Sequence, residues 1–244
     1  ADNEPLTIGI DQRVFLSEKD IEGHWKGLDI ALVSLILNEA KLPFEFRELP
    51  WKRILRDVKQ GNIDLALSAA KLPERQIYAY YSTRPFRLGQ NMLFGKSSAR
   101  KYPTQINSLM DLANTDFMIG VVRGSSYSDT FEQLKTQDWF KQKMVTVNDA
   151  NQLPHLLIKG RTQVYIDSEF AGKQRLMKLN LYDGITPLFR LKSNNNSSTY
   201  IMMSKQSVPK NIVTKINEAM AELYQNGKYQ KLIDEYNELA TPRF

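Results

Sequence analysis

A short pattern that occurs twice places the strongest constraint on the fold. Residues 58–68 read VKQGNIDLALS, and residues 157–167 read LIKGRTQVYID. In each copy the end of an amphipathic helix is followed by a glycine, which suits the left-handed position just past a helix, and then by an apolar strand. Aligning the two glycines places Ser68 and Asp167 at equivalent strand ends. Because ligands bind at that end of the strands in open α/β sheets, the repeat predicts two similar lobes facing each other across a cleft.

The segments around each copy alternate between strand and helix. The first copy is predicted to hold strands and helices in the order β-α-β-α-β, at residues 6–10, 27–40, 44–48, 51–60 and 63–68. The second repeats this order and adds a helix, at residues 117–122, 126–135, 144–147, 150–158, 164–166 and 170–179. Two more strands are predicted at 91–95 and 200–204, and two helices over 209–239. This order predicts α/β lobes, each with a parallel-rich sheet, right-handed crossovers and flanking helices.

Two polar stretches are interpreted as crossings between the lobes. KSSARKYPT follows the strand at 91–95, and SNNNSS precedes the strand at 200–204. We therefore expect one lobe from residues 1–95 and 197–244, and a second lobe from residues 96–196.

Composition removes several classes of function. Without cysteine the chain has no disulfide, no thiolate nucleophile and no thiolate-ligated zinc. His24 and His155 have no partner at metal-binding spacing, and phosphate-binding or nucleophile motifs are absent, so we expect no metal, no cofactor and no catalytic residue. The net charge is +6, but its cations are mixed with acids along the chain, which predicts no nucleic-acid partner. The longest apolar run, Ile30 to Leu37, is too short to span a membrane.

Six segments resemble a known family in their order and spacing. They read IGID, GLDIAL, KQGNIDLALSAAKLPERQIYAYYSTRPF, SLMDLANTDFMIGVVRGSSYSD, LLIKGRTQVYIDSEFA and INEAMAELYQNGKYQKLIDEY. Together they are similar, over almost the whole chain, to the bacterial periplasmic solute-binding proteins of the amino-acid type, family 3. The resemblance implies two lobes of the type II periplasmic-binding-protein fold, joined by two hinge strands and closing on a ligand like a clamp.

The resemblance also implies roles for three residues. Trp51 would pack on the ligand, Arg75 would grip its carboxylate through the planar donor fork, and Asp167 would bind its ammonium group. Each residue has an alternative role: Trp51 as a core anchor, Arg75 as a solvated loop residue, and Asp167 as an N-cap with Glu169 exposed.

Further candidates lie beside these three. Asp11, with Phe15 nearby, follows the first strand and could reach a ligand side chain or a cation. Ser68 and Ala69 end the third strand. The stretch from Ser68 to Arg75 is one residue shorter than the family pattern, and Ala69, Ala70 and Lys71 replace expected glycine and threonine positions. This departure leaves the identity of the ligand open.

A glycine–serine turn completes the predicted site in the second lobe. Gly124, Ser125 and Ser126 are predicted to open a helix whose free N–H groups favour an anion. An ordinary N-cap at Ser126 is the alternative.

The expected function is periplasmic binding of a small polar solute, an amino acid or a related compound, for delivery to an ABC importer. The expected partners are that solute and the inner-membrane ABC permease, and we expect a monomer whose secretory signal has been removed. A ligand sensor for signalling and an enzyme resembling cyclohexadienyl dehydratase are the alternatives.

Overall fold

The computed structural model describes most of the chain, in three ranges: residues 4–97, 106–192 and 198–240. The polar segments predicted as crossings fall largely at residues 98–104 and 193–197, outside the described residues. No helix in the described ranges has the length and apolarity that a membrane span requires.

The chain divides into two compact units, after Arg87 and again before Ser198. Their described parts are residues 4–87 and 198–240 for unit 1, and residues 88–97 and 106–192 for unit 2. The division after Arg87 comes earlier than the expected boundary at residue 95. The strand Asn91–Lys96 belongs to unit 2 because both its edges pair with strands of that unit.

Strands and helices alternate along most of the chain. The first segment contains β1 Leu6–Ile10, β2 Glu18–Lys19, β3 Trp25–Lys26, α1 Leu28–Glu39, β4 Phe44–Glu48, α2 Trp51–Gln60, β5 Leu65–Ala69, α3 Pro73–Gln76, β6 Ala79–Tyr81 and β7 Arg87–Leu88. The middle segment contains β8 Asn91–Lys96, β9 Ile119–Val122, α4 Asp129–Leu134, α5 Asp138–Lys143, β10 Met144–Val147, α6 Leu153–Ile158, β11 Val164–Ser168, α7 Glu169–Lys178 and β12 Ile185–Arg190. The last segment contains β13 Ser198–Ser204, α8 Lys210–Gln225 and α9 Lys228–Ala240.

The sheet of unit 1 has the order β4-β1-β5-β13-β6, with β7 also paired to β13. Strand β1 runs parallel to β4 and β5, and β13 runs antiparallel to β5 and β6. Helix α2 buries one face against this sheet through Trp51, Ile54 and Val58. The predicted β-α-β-α-β unit is therefore present, and its carboxyl-terminal strand ends share one edge.

The sheet of unit 2 has the matching order β10-β9-β11-β8-β12. Strand β9 runs parallel to β10 and β11, and β8 runs antiparallel to β11 and β12. The two sheets thus share strand order and direction. This confirms the α/β class and the duplication that the repeated pattern predicted.

The glycines of the repeat occupy the predicted conformation. Gly61 caps α2 with φ 78°, and Gly160 follows α6 with φ 68°. A side chain is strained at such angles, which explains why glycine marks both helix ends.

Other predictions need correction. The helix predicted at 126–135 begins at Asp129, because the Ser128 hydroxyl accepts a 3.1 Å bond from the Phe131 amide and caps it there. The predicted helix at 150–158 starts as a 3-10 turn before α6, which has Pro154 in its first turn. Strands β6 and β12 were not predicted, since the first is three residues long and the second contains Pro187.

Candidate functional site

The predicted site residues of unit 1 gather at one edge of its sheet. Because β1, β4 and β5 are parallel, their carboxyl ends lie at the same edge. Asp11 follows β1, Trp51 begins the helix after β4, and Ser68 and Ala69 end β5. Arg75 lies on the short helix that follows. Topology therefore brings together residues that are up to 64 positions apart in the sequence.

Arg75 is buried, with 6% of its surface exposed. Its Nη1 donates to the Ala70 carbonyl at 3.3 Å, and the Tyr81 hydroxyl donates to the same oxygen at 3.1 Å. Burial raises the pKa of Tyr81, although the nearby Arg75 charge acts in the opposite direction. The Arg75 guanidinium is therefore buried beside an uncharged phenol. The alternative role of Arg75, as a solvated loop residue, does not agree with this burial.

Asp11 and Trp51 are linked through an arginine. The Asp11 carboxylate pairs with Arg13 Nε at 3.0 Å, and the Arg13 guanidinium lies 5.3 Å from the centre of the Trp51 ring. Trp51 is only 4% exposed and packs with the apolar residues beneath α2. Its core-anchor role is therefore observed, and its contact with a ligand stays a prediction.

Ser68 has an unusual backbone and a charged partner. Its φ is +53°, in the left-handed region that a non-glycine residue rarely adopts. Its hydroxyl donates to Asp29 Oδ2 at 2.9 Å, and Arg87 Nε donates to Asp29 Oδ1 at 2.7 Å. Phe15 is also left-handed, with φ 68°, and its ring meets Tyr236 edge-on at 5.7 Å.

The predicted site residues of unit 2 also share a sheet edge, because β9 and β11 are parallel. Gly124, Ser125 and Ser126 follow β9, and Asp167 lies on β11. The three loop residues form a turn, with Gly124 at φ 82° and the Ser125 amide bonded to the Val122 carbonyl at 3.1 Å. They do not open α4, which begins at Asp129, so the predicted helix start at this turn is wrong. The contact of the turn with a ligand stays a prediction.

Asp167 faces the interior of unit 2. It is 7% exposed, and its Oδ2 forms an ion pair with Nη1 of Arg175, which is 1% exposed. Its Oδ1 accepts from the Ser168 amide at 2.8 Å, and Arg175 Nε donates to Asn151 at 2.8 Å. A buried carboxylate needs a cation, and the protein supplies one from α7. The proposed contact between Asp167 and a ligand ammonium remains a prediction.

The residue that caps α7 is Ser168, whose hydroxyl accepts from the Ala171 amide at 3.3 Å. Glu169 follows it and is half-buried, with ion pairs to Lys173 at 3.1 Å and Arg190 at 2.8 Å. Burial opposes ionisation of Glu169, but hydrogen bonds from these two cations lower its pKa. The alternative role of Asp167, as the N-cap of α7 with Glu169 exposed, is therefore wrong.

Sequence reasoning missed Asp29, Arg87 and Arg175. An acid at the start of the otherwise apolar α1 was an available signal, since such a carboxylate requires a buried partner. The described residues contain no group of three or more acidic or histidine side chains able to hold a metal.

Comparison with known families identifies the chain. The sequence of residues 6–238 matches the family of bacterial extracellular solute-binding proteins, family 3. The chain belongs to this family. This match confirms the resemblance seen in the six sequence segments. It also establishes solute binding as the general function of the protein. No curated protein sequence matches it.

Solved structures of similar proteins share the fold of this solute-binding protein. An ancestral arginine-binding protein bound to arginine has a TM-score of 0.81 and 21% identity, over 97% of this chain and 99% of that one. An amino acid ABC transporter substrate-binding protein of Streptococcus pneumoniae, bound to L-arginine, has a TM-score of 0.77 and 21% identity, over 98% and 97%. A histidine kinase sensor domain with similarity to periplasmic binding proteins has a TM-score of 0.80 and 15% identity, over 96% of each chain.

Proposed function

We propose that this solute-binding protein binds an amino acid or a related small polar compound in the periplasm and delivers it to an ABC importer. The observation behind the proposal is the buried guanidinium of Arg75 at the sheet edge of unit 1, in a chain of this family. Arginine binds carboxylates through two parallel hydrogen bonds, and burial strengthens charge-assisted bonds of this kind. Arg75 would hold the solute carboxylate.

The remaining contacts are proposed for each unit separately. In unit 1, Asp11, Phe15, Trp51, Ser68 and Ala69 would surround the solute near Arg75. In unit 2, the turn at 124–126 would offer hydroxyl and backbone donors, and Asp167 is proposed to meet an ammonium group.

The protein is further proposed to act as a monomer, to use the inner-membrane ABC permease as its partner, and to leave the solute chemically unchanged. Recovery of unaltered solute after prolonged incubation, measured by mass spectrometry, tests the last point. Turnover of an unsaturated carboxylic acid would favour the dehydratase alternative instead.

A thermal-shift screen against amino acids and organic acids tests the proposed solute class. A ligand present at about 100 times its Kd stabilises the folded state by roughly 2.7 kcal/mol, which raises the melting temperature measurably. The expected hits carry a carboxylate, and their decarboxylated analogues should give no shift. A folded protein that responds to none of the carboxylates would contradict the proposal.

A further inference from the structure

A hydrogen-bonded path in unit 1 runs from the end of β5 to the place where the chain leaves the unit. Its centre is Asp29, near the start of α1, with 3% of its surface exposed. One carboxylate oxygen accepts from the Ser68 hydroxyl at 2.9 Å, and the other accepts from Arg87 Nε at 2.7 Å. The two donors lie 39 and 58 positions from Asp29 along the sequence.

The path continues from Arg87 to the point where the chain re-enters unit 1. Arg87 is the last residue of the first segment of unit 1, and Ser198 is the first residue of the second. The Arg87 carbonyl accepts from the Thr199 hydroxyl at 3.2 Å, and the Phe86 amide donates to the Thr199 carbonyl at 2.7 Å. The buried hydroxyl of Tyr229 also donates to the Phe86 carbonyl. Exit and re-entry are thus joined at one place.

Because both charges are buried, losing either partner of this connection is costly. The side chains of Asp29 and Arg87 are only 4% and 10% exposed, so each depends on the other for compensation of its charge. The left-handed φ of Ser68 is costly for a residue with a side chain, and such strain persists only where the surroundings hold it in place. The bond to Asp29 is one interaction that does so.

We propose that Asp29 is a positioning residue that fixes the strained end of β5 at Ser68 and, through Arg87, the segment where the chain leaves and re-enters unit 1. The solute-dependent part of this proposal rests on the proposed function. If a solute contacts Ser68, its binding stabilises the hydrogen bonds at Phe86 and Arg87 through Asp29. The solute itself does not need to touch these two residues.

Hydrogen exchange of the Phe86 amide tests the proposal on the solute-free protein. In Asp29→Asn we expect this amide to exchange roughly tenfold faster than in the parent, after normalisation to the amides of β1. Asp57→Asn is the matched control, because Asp57 is also buried in unit 1, at 8% exposure, and pairs with Arg56 at 2.8 Å. The control should leave normalised exchange at Phe86 unchanged.

A milder variant keeps the test decisive if Asp29→Asn does not fold. Arg87→Lys retains the positive charge but removes the Nε donor, and it should also accelerate exchange at Phe86. Parent-like exchange at Phe86 in a folded Asp29→Asn protein, or in Arg87→Lys when Asp29→Asn is unfolded, would overturn the proposal. An equal acceleration in Asp57→Asn would also overturn the proposal, because the effect would then not depend on the hydrogen bond between Asp29 and Arg87.

The solute arm uses an equimolar mixture of the twenty standard L-amino acids as the probe. The mixture should slow exchange at Phe86 in the parent, and this slowing should be lost in Asp29→Asn while persisting in Asp57→Asn. Slowing that survives in Asp29→Asn would refute the coupling. A mixture that fails to raise the melting temperature of the parent would count against the proposed amino-acid ligand alone, and the solute-free comparison would still decide the role of Asp29.

Discussion

Neutralising one partner of the buried Asp167–Arg175 pair should destabilise the protein more than neutralising both. Asp167→Asn keeps the shape of the side chain but leaves the Arg175 charge uncompensated. Arg175→Met keeps most of the volume but removes the cation that pairs with Asp167. The double variant replaces a buried ion pair by an amide and an apolar chain, with no buried charge.

The magnitude follows from how completely the pair is buried. The side chains are 1% and 8% exposed for Arg175 and Asp167, so water can compensate neither charge well. Breaking one side of such a pair costs about 3–5 kcal/mol, whereas replacing both sides is often close to neutral. For a chain of this length, where each kcal/mol lowers Tm by about 2–4 °C, the single variants should melt roughly 6–20 °C lower. Loss of the Arg175 bond to Asn151 should leave the double variant slightly below the parent.

Urea denaturation followed by circular dichroism, together with calorimetric melting, measures the cycle. Arg161→Met, which alters an exposed arginine of the same unit, serves as the control and should change stability by no more than about 0.5 kcal/mol. Single-variant losses below about 1 kcal/mol that simply add in the double variant would refute the reasoning, because an uncoupled pair is not a buried ion pair.

Two further predictions concern backbone strain and pH. Ser68→Gly should be more stable than Ser68→Ala by about 0.5–1 kcal/mol in urea denaturation, because both lose the hydroxyl but only alanine keeps a side chain at positive φ; equal stability would argue against strain at this residue. The depressed pKa of Glu169 means that its pairing with Lys173 and Arg190 stabilises the protein above the ordinary glutamate pKa of about 4.3 and is lost as pH falls through the lower folded-state pKa. Glu169→Gln should therefore cost about 0.5 kcal/mol at neutral pH and progressively less as the pH falls through the folded-state pKa, and a cost that does not change with pH would contradict this assignment.

Local patterns predicted the fold because they repeat and are independent of distant contacts. The glycines at 61 and 160, with an amphipathic helix before and an apolar strand after, correctly marked two copies of one α/β arrangement. The prediction was weaker where two neighbouring residues compete for one role. Ser126 and Ser128 are both residues that suit an N-cap, and in the structure it is Ser128 that caps α4, with an extended backbone and a hydroxyl that accepts from the Phe131 amide.

The site was less predictable because no local sequence pattern identifies the partners that compensate its buried charges. The need of Asp167 for a cation was foreseen, but its ion pair with Arg175 of the next helix was not. The contact of Asp167 with a ligand ammonium group stays a prediction. The pairing of Asp29 with Arg87 spans 58 positions and leaves no local pattern. Position at a strand end can be read from sequence, but the direction in which a buried charge faces cannot.

Isothermal titration of the parent and Arg75→Ala with an amino acid identified by the screen tests the central claim most directly. We expect the parent to bind the amino acid, and Arg75→Ala to fold normally but lose about 2–5 kcal/mol of binding free energy. Both proteins should bind the decarboxylated analogue only weakly. Arg47→Ala, a change at a half-exposed arginine of the same unit, should bind as the parent does. Parent-like affinity in an Arg75→Ala protein that melts normally would contradict the claim that this guanidinium holds the solute carboxylate.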